Sequence, residues 1–156
     1  MRHAKSDWEH NLPDIERPLN KRGKKAAAKM GEELLKRNIA PDIILSSPAN
    51  RARTTAELVI EAIGYEKELL IVKDFYFGYT DSILDKVKTI EKVNSTVLII
   101  GHNPIWEDLL MGLSKDNQYV TMPTAALACL SFDIDDWSGI ELKSGKQEWL
   151  ITPKTI

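Results

Sequence analysis

The 156-residue sequence is poor in cysteine, with Cys129 as its single thiol, so an internal disulfide is excluded. Disulfide frameworks belong to oxidising compartments, and a lone cysteine favours a reducing one. The sequence also lacks any apolar run near the roughly 20 residues that span a bilayer, and it has no signal-peptide pattern. We therefore expect a cytoplasmic protein without a membrane partner.

Charge of one sign is not in excess, because 21 basic residues face 23 acidic ones and the formal net charge is −2. Proteins that bind nucleic acid through the phosphate backbone need a broad positive surface. The basic residues that cluster at positions 21–29 are typical of a solvated helix face, and no interleaved aromatic residues accompany them. The sequence therefore predicts no nucleic-acid partner.

Motifs for metals and nucleotides are also missing. The three histidines stand at positions 3, 10 and 102, and no HxH, HExxH or CxxC spacing is present. No glycine-rich phosphate loop occurs either. We therefore predict an activity that needs neither a metal ion nor an organic cofactor.

What the sequence does contain is an alternation of helical and strand patterns. Hydrophobic residues make up 43% and charged residues 28%, which is typical of a globular protein, and the length suits a single domain over residues 1–156. Helices are predicted over residues 20–38, with Asn20 as N-cap, and over 51–64, 80–93 and 105–113. Strands are predicted within 41–48 and 96–101, and closing antiparallel strands within 126–134, 137–143 and 147–152. This order predicts an α/β fold of three layers, with a mostly parallel central sheet and helices on both faces.

Two polar loops follow the predicted parallel strands. SSPANR, which contains Arg51, leaves the first strand, and GHNP, which contains His102, leaves the second. Chemistry in such sheets gathers at the carboxyl ends of the strands. Together with Arg2 and His3 at the start of the chain, these side chains could form a pocket for a tetrahedral oxyanion.

The chemistry of these four residues fits phosphoryl groups. Arginine stays charged and binds phosphate oxygens with two donors, while a histidine that is neutral near pH 7 can act as a nucleophile. Each residue alone also has a structural interpretation. The Arg-His pair could be a solvated terminus, Arg51 could point into water, and His102 could be a buried structural histidine.

Five motifs in order resemble the histidine phosphatase superfamily, also called the phosphoglycerate mutase-like group. They are RHAKS at the start, LNKRG at 19–23, SSPANRARTTAE at 46–57, GHNP at 101–104 and PTAALA at 123–128. The short length and the form of these motifs are similar to the small bacterial branch, the SixA-like phosphohistidine phosphatases. The resemblance implies a phosphoglycerate mutase-like fold.

The resemblance also implies roles for individual residues. His3 would be the nucleophile that forms a covalent phosphohistidine, and Arg2, Arg51 and His102 would bind the phosphoryl oxygens. Asn20 and Thr124 lie in matching motifs and would support phosphate binding. The implied function is hydrolysis of protein phosphohistidine or a similar activated phosphate.

Two features depart from the family pattern. Larger relatives carry a carboxylic acid in mid-chain, but Asp74, Asp81 and Asp85 have no motif that would select one of them as general acid. Family members also place the Arg-His pair after a first central strand, whereas Met1 alone precedes it here. We therefore expect that upstream residues, another segment or another chain supply the first strand.

Two alternative functions remain open from the sequence. One is a small-molecule phosphomonoesterase or mutase on the same scaffold, and the other is a phosphate-binding module without turnover. The expected partner is thus a phosphorylated protein or a small phosphorylated substrate, and the sequence leaves the oligomeric state open.

Overall fold

The computed structural model describes residues 1–9, 11–116 and 118–156. It contains five α-helices and five strands within these residues. The helices are α1 (Lys21–Lys36), α2 (Asn50–Ile63), α3 (Asp74–Phe77), α4 (Thr80–Lys88) and α5 (Ile105–Leu113), and the strands are β1 (Ile43–Ser46), β2 (Leu69–Ile71), β3 (Val97–Ile100), β4 (Leu127–Ser131) and β5 (Lys146–Ile151). Short 3-10 turns span Asp14–Glu16 and Trp137–Gly139. No helix in these ranges is long and apolar enough to cross a membrane.

The central sheet is parallel, with the strand order β2-β1-β3, and β4 and β5 form a separate antiparallel pair. Successive side chains of a strand point to opposite faces. Ile44 therefore joins the hydrophobic core formed with α1 and α2, while Leu45 joins the core formed with α3, α4 and α5. The predicted three-layer α/β/α arrangement, with helices on both faces of a mostly parallel sheet, is confirmed.

Local signals explain where the two long helices begin and end. The side-chain oxygen of Asn20 accepts a hydrogen bond from the backbone N–H of Gly23, which is the predicted N-cap of α1. Gly64 ends α2 in the left-handed conformation with φ 66°, which costs glycine little because it has no Cβ atom.

Two predicted elements differ in the structure. The helix predicted over 80–93 ends at Lys88, where the backbone turns and the Thr89 hydroxyl donates to the carbonyl of Lys86. The strand predicted over 137–143 is wrong. Its first residues form a 3-10 turn because the Asp136 side chain accepts a hydrogen bond from Ser138 N–H, and Lys143 has a positive φ of 58°, which is incompatible with a strand.

Residues 1–4 lie between β3 and the loop before β4. Backbone N–H groups of His3 and Arg2 donate to the carbonyls of Gly101 and Ala126, both at 2.9 Å. A cavity of about 680 Å³ lies between β3 and β4 and is lined on both sides by apolar side chains of these strands. That a longer first strand belongs in this region stays a prediction, as does the assignment of residues 1–156 to one domain.

Candidate active site

The carboxyl ends of β1 and β3 bring the predicted residues together. The loop after β1 leads into α2, and Arg51 lies in the first turn of that helix. The loop after β3 carries His102. Because Arg2 pairs with Gly101 in a parallel bridge, the N-terminal segment lies beside the second loop. The rings of His3 and His102 are consequently 4.9 Å apart, measured between their centroids.

The hydrogen bond of His3 fixes which ring nitrogen is available for chemistry. Nδ1 lies 2.7 Å from the carbonyl oxygen of Ala4. Since a carbonyl can only accept, Nδ1 carries the proton and Nε2 of the neutral ring holds a free electron pair. Burial lowers the pKa of His3 to about 4, and the positive charges of Arg51 and Arg2 add to this effect. The ring is therefore neutral at pH 7.

In His102 the protein contacts the other ring nitrogen. Its Nε2 lies 2.7 Å from the hydroxyl oxygen of Ser47, which already accepts a hydrogen bond from Ala49 N–H. The Ser47 hydroxyl can donate its proton to Nε2, and we assign the ring proton to Nδ1 on this basis. Burial, and to a lesser extent the electrostatic effects of His3 and Arg51, lowers the pKa of His102 to about 3. This ring is therefore also neutral at pH 7.

Both arginines are held by backbone carbonyls. Nη1 of Arg2 donates to Met122 O at 2.7 Å, and Nη1 of Arg51 donates to Asp14 O, also at 2.7 Å. Four side-chain nitrogens are buried and have no hydrogen-bond partner among the described residues, and three of them belong to predicted site residues: Nε of Arg2, Nε of Arg51 and Nδ1 of His102, the fourth being Nε1 of Trp106. Buried donors without partners are costly, so a site that contains three of them is suited to an oxyanion that accepts from all three.

Three further residues, which were not predicted from the sequence, contact the site residues Arg51 and His102 or the carboxylate bound to Arg51. Asp14 binds Arg51 through Oδ2 at 3.0 Å and binds Arg17 through Oδ1, with Nη2 at 2.8 Å. The hydroxyl of Tyr76 donates to Asp14 Oδ2 at 2.7 Å, and its ring lies edge-on to that of His102. Hydrogen bonds from Tyr76 and Arg17, together with the charge of Arg51, hold the pKa of Asp14 well below its usual range despite the opposing effect of burial.

Arg17 is the signal that could have revealed this cluster. It lies in the RPLN sequence beside one of the quoted motifs, and it is 8% exposed, which is unusual for an arginine. Its Nη1 donates to the Ser6 hydroxyl at 2.8 Å, and its guanidinium group lies 3.6 Å from the ring centroid of Trp8. The site therefore contains three arginines rather than two.

The other predicted residues occupy different positions. Asn20 caps α1 with its side chain, and half-buried Thr124 precedes Ala125, whose N–H donates to His3 O at 3.0 Å. A role of Asn20 or Thr124 in phosphate binding stays a prediction. The three carboxylates considered as general acids are all exposed, on α3 and α4, and the described contacts join none of them to the site: Asp74, Asp81 and Asp85.

The described ranges of the chain contain no group of three or more histidine, cysteine, aspartate or glutamate side chains placed to hold a metal ion. The chemical capacity that the site does show is that of an anion pocket beside a nucleophilic ring nitrogen. The ring of His102 lies 4.9 Å from that of His3, and the charges of Arg51 and Arg2 act on His3. This arrangement can bind a phosphoryl group and present its phosphorus atom to an electron pair.

Comparisons with known proteins identify relatives of this chain. A family model described as "Histidine phosphatase superfamily (branch 1)" matches residues 1–74, which include His3 and Arg51. An uncharacterized chloroplastic protein of Arabidopsis thaliana is 31% identical, over 96% of this chain and 72% of that protein. The uncharacterized phosphatase PhoE of Bacillus subtilis is 26% identical, over 84% of each chain.

The solved structure of the protein histidine phosphatase SixA in complex with tungstate has the same fold. It superposes with a TM-score of 0.86 and covers 99% of this chain and 95% of that chain. At 22% sequence identity, this likeness concerns the architecture.

Proposed function

Because the chain belongs to the histidine phosphatase superfamily, we propose that it hydrolyses a phosphoryl group through a covalent intermediate on His3. The observation that carries this proposal is the hydrogen bond from His3 Nδ1 to the carbonyl of Ala4 at 2.7 Å. It directs the electron pair of Nε2 away from the backbone. Since the ring is neutral at pH 7, it needs no base to become nucleophilic.

In the first step, the electron pair of Nε2 bonds to phosphorus as the bond from phosphorus to the leaving group breaks. Nε of Arg2, Nε of Arg51 and Nδ1 of His102 donate to the phosphoryl oxygens and stabilise their charge. In the second step, the oxygen of a water molecule bonds to phosphorus, the phosphorus–nitrogen bond breaks, and Nε2 recovers its electron pair. Inorganic phosphate leaves. Positioning and electrostatics are the main contributions that a protein makes to such transfers.

The carboxylates of the site suggest the class of substrate. An alkoxide leaving group needs a protonated acid, but Arg17, Arg51 and Tyr76 keep Asp14 ionised. Asp74, Asp81 and Asp85 lie outside the site. The leaving group must therefore depart without help from these carboxylates, as a protonated imidazole can. We propose a phosphohistidine or another phosphoramidate as the substrate, and we expect phosphate esters such as 3-phosphoglycerate to react slowly.

The test is intact-mass spectrometry after brief mixing with phosphoramidate. We expect an acid-labile phosphate adduct in the wild type and none in His3→Ala. His102→Ala is the matched control, because it removes the other buried histidine but not the proposed nucleophile. This variant should form the adduct more slowly, at the same residue.

The alternatives give different results. An adduct that persists in His3→Ala would place the nucleophile elsewhere. Phosphate binding without any adduct or turnover would indicate a phosphate-binding module. Hydrolysis of 3-phosphoglycerate as fast as that of phosphoramidate would favour a small-molecule phosphomonoesterase and contradict the proposed substrate class.

A further inference from the structure

Asp14 occupies one edge of the guanidinium group of Arg51. Its carbonyl oxygen accepts from Nη1 at 2.7 Å, and its carboxylate oxygen Oδ2 accepts from Nη2 at 3.0 Å. Two terminal donors of a guanidinium group are the ones that a phosphoryl group or a carboxylate binds bidentately. Asp14 therefore uses donors that an incoming oxyanion could use.

The same carboxylate also forms an ion pair with a second arginine. Its Oδ1 accepts from Nε and Nη2 of Arg17, at 3.0 and 2.8 Å. A single carboxylate thus bridges two guanidinium groups with its two oxygens, which is how a phosphoryl group would bridge them. The bridge offsets one of the positive charges of the site.

Burial indicates which partner of the bridge can move. The side chains of Arg17 and Arg51 are 9% and 7% exposed, whereas that of Asp14 is 51% exposed. Asp14 belongs to the 3-10 turn Asp14–Glu16, in which no residue is buried. The arginines are therefore enclosed by the protein, and the carboxylate approaches them from a solvated turn.

The charge of Asp14 also reaches the second histidine. It raises the pKa of His102, against the larger lowering effects of burial, His3 and Arg51. A negative charge that is felt at His102 is also felt by an anion bound to its Nδ1. Asp14 and a phosphoryl group consequently repel each other electrostatically, whether or not they contact the same donor.

We propose that Asp14 is an internal competitor of the phosphoryl group for Arg51 and Arg17, and that it weakens the binding of inorganic phosphate. A role for this competition in turnover rests on the proposed function, in which phosphate is the product and weak binding allows it to leave. The anion affinity itself does not depend on turnover. Asp14 is in this sense a residue that sets affinity rather than a nucleophile or an acid.

The experiment is a calorimetric titration of the full chain with inorganic phosphate at pH 7. Asp14→Asn removes the charge and keeps a side chain of the same shape, and we expect the dissociation constant to fall about tenfold, as for the loss of one nearby like charge. Asp85→Asn is the matched control, because it removes an exposed carboxylate on α4 outside the site. Its dissociation constant should equal that of the wild type.

Tyr76→Phe tests the competition without changing the charge. It removes the hydrogen bond that the Tyr76 hydroxyl donates to Asp14 Oδ2 and retains the ring against His102. Because Asp14 is then held less firmly beside Arg51, phosphate should bind more tightly than in the wild type, by a smaller factor than in Asp14→Asn. Tyr76→Phe also provides a second measurement if Asp14→Asn folds poorly.

Unchanged or weaker phosphate binding in both variants would overturn the inference and would make Asp14 a support for Arg51. Failure of both variants and of the wild type to bind phosphate would overturn it as well. Tighter binding without adduct formation in the wild type would support the inference while contradicting the proposed hydrolysis. The two proposals can therefore fail separately.

Discussion

The neutrality of His3 predicts a specific loss of stability in acid. Its pKa is about 4 in the folded chain, because the ring is buried beside arginines, and the ordinary value is 6.5. Below the ordinary value the unfolded chain binds a proton that the folded chain does not yet bind, so acidification favours unfolding. This contribution is fully present above pH 6.5 and is lost as the pH falls toward the folded pKa.

The magnitude follows from the size of the window. A pH of about 5 lies about 1.5 units below the histidine pKa of the unfolded chain. This difference lowers the free energy of unfolding by about 2 kcal/mol for this one residue. Carboxylates with ordinary pKa values near 4 contribute little between pH 7 and 5. His3→Asn removes the titrating group and keeps a side-chain N–H that can donate to Ala4.

The assay is urea denaturation of the wild type and His3→Asn near pH 7 and near pH 5, in a buffer without phosphate. We expect the free energy of unfolding to fall by about 2 kcal/mol more in the wild type than in the variant. Groups common to both chains, including the other histidines, cancel in this comparison. Equal losses in the two proteins would refute the claim that burial keeps His3 neutral.

Two further predictions concern hydrogen bonds that position the site. Thr55 is fully buried and its hydroxyl accepts from Ala4 N–H at 2.9 Å, so Thr55→Val should lower the free energy of unfolding by about 1–3 kcal/mol while Thr55→Ser changes it little, as measured by urea denaturation. Ser47→Ala removes the partner of His102 Nε2 and should slow adduct formation about tenfold, because the ring proton is no longer confined to Nδ1. Equal rates in Ser47→Ala and the wild type would contradict this tautomer assignment.

Much of the fold could be predicted from the sequence because its local signals agree with its packing. The apolar run of β1 is buried on both faces, that of β3 is buried on one face and half-buried on the other, and the polar loops that follow them carry the candidate site. The capping residue Asn20 and the left-handed Gly64 mark helix ends through local hydrogen bonds and backbone conformation. The segment 137–143 has the apolar spacing of a strand, but its conformation is decided by a side-chain hydrogen bond from Ser138 N–H to Asp136.

The candidate site was predictable in part for the same reason. Arg2, His3, Arg51 and His102 stand in short contiguous motifs, so their proximity follows from where the strands end. Asp14 stands in no such motif. Its partner Arg17 is three residues away, but Arg51 and Tyr76 are 37 and 62 residues away along the chain. Only tertiary structure brings these side chains to one guanidinium group.

The position of Asp14 explains how the site can be both positively charged and selective in its chemistry. A nucleophilic histidine requires a neutral ring, and the arginines that we propose to bind the phosphoryl group help to keep His3 neutral by repelling a proton. The same arginines would hold inorganic phosphate tightly and slow its release. A carboxylate that bridges Arg17 and Arg51 lowers this affinity, while the proton-repelling effect of Arg51 on His3 persists in its presence. Replacing Asp14 should therefore shift the balance from release toward binding without making His3 basic.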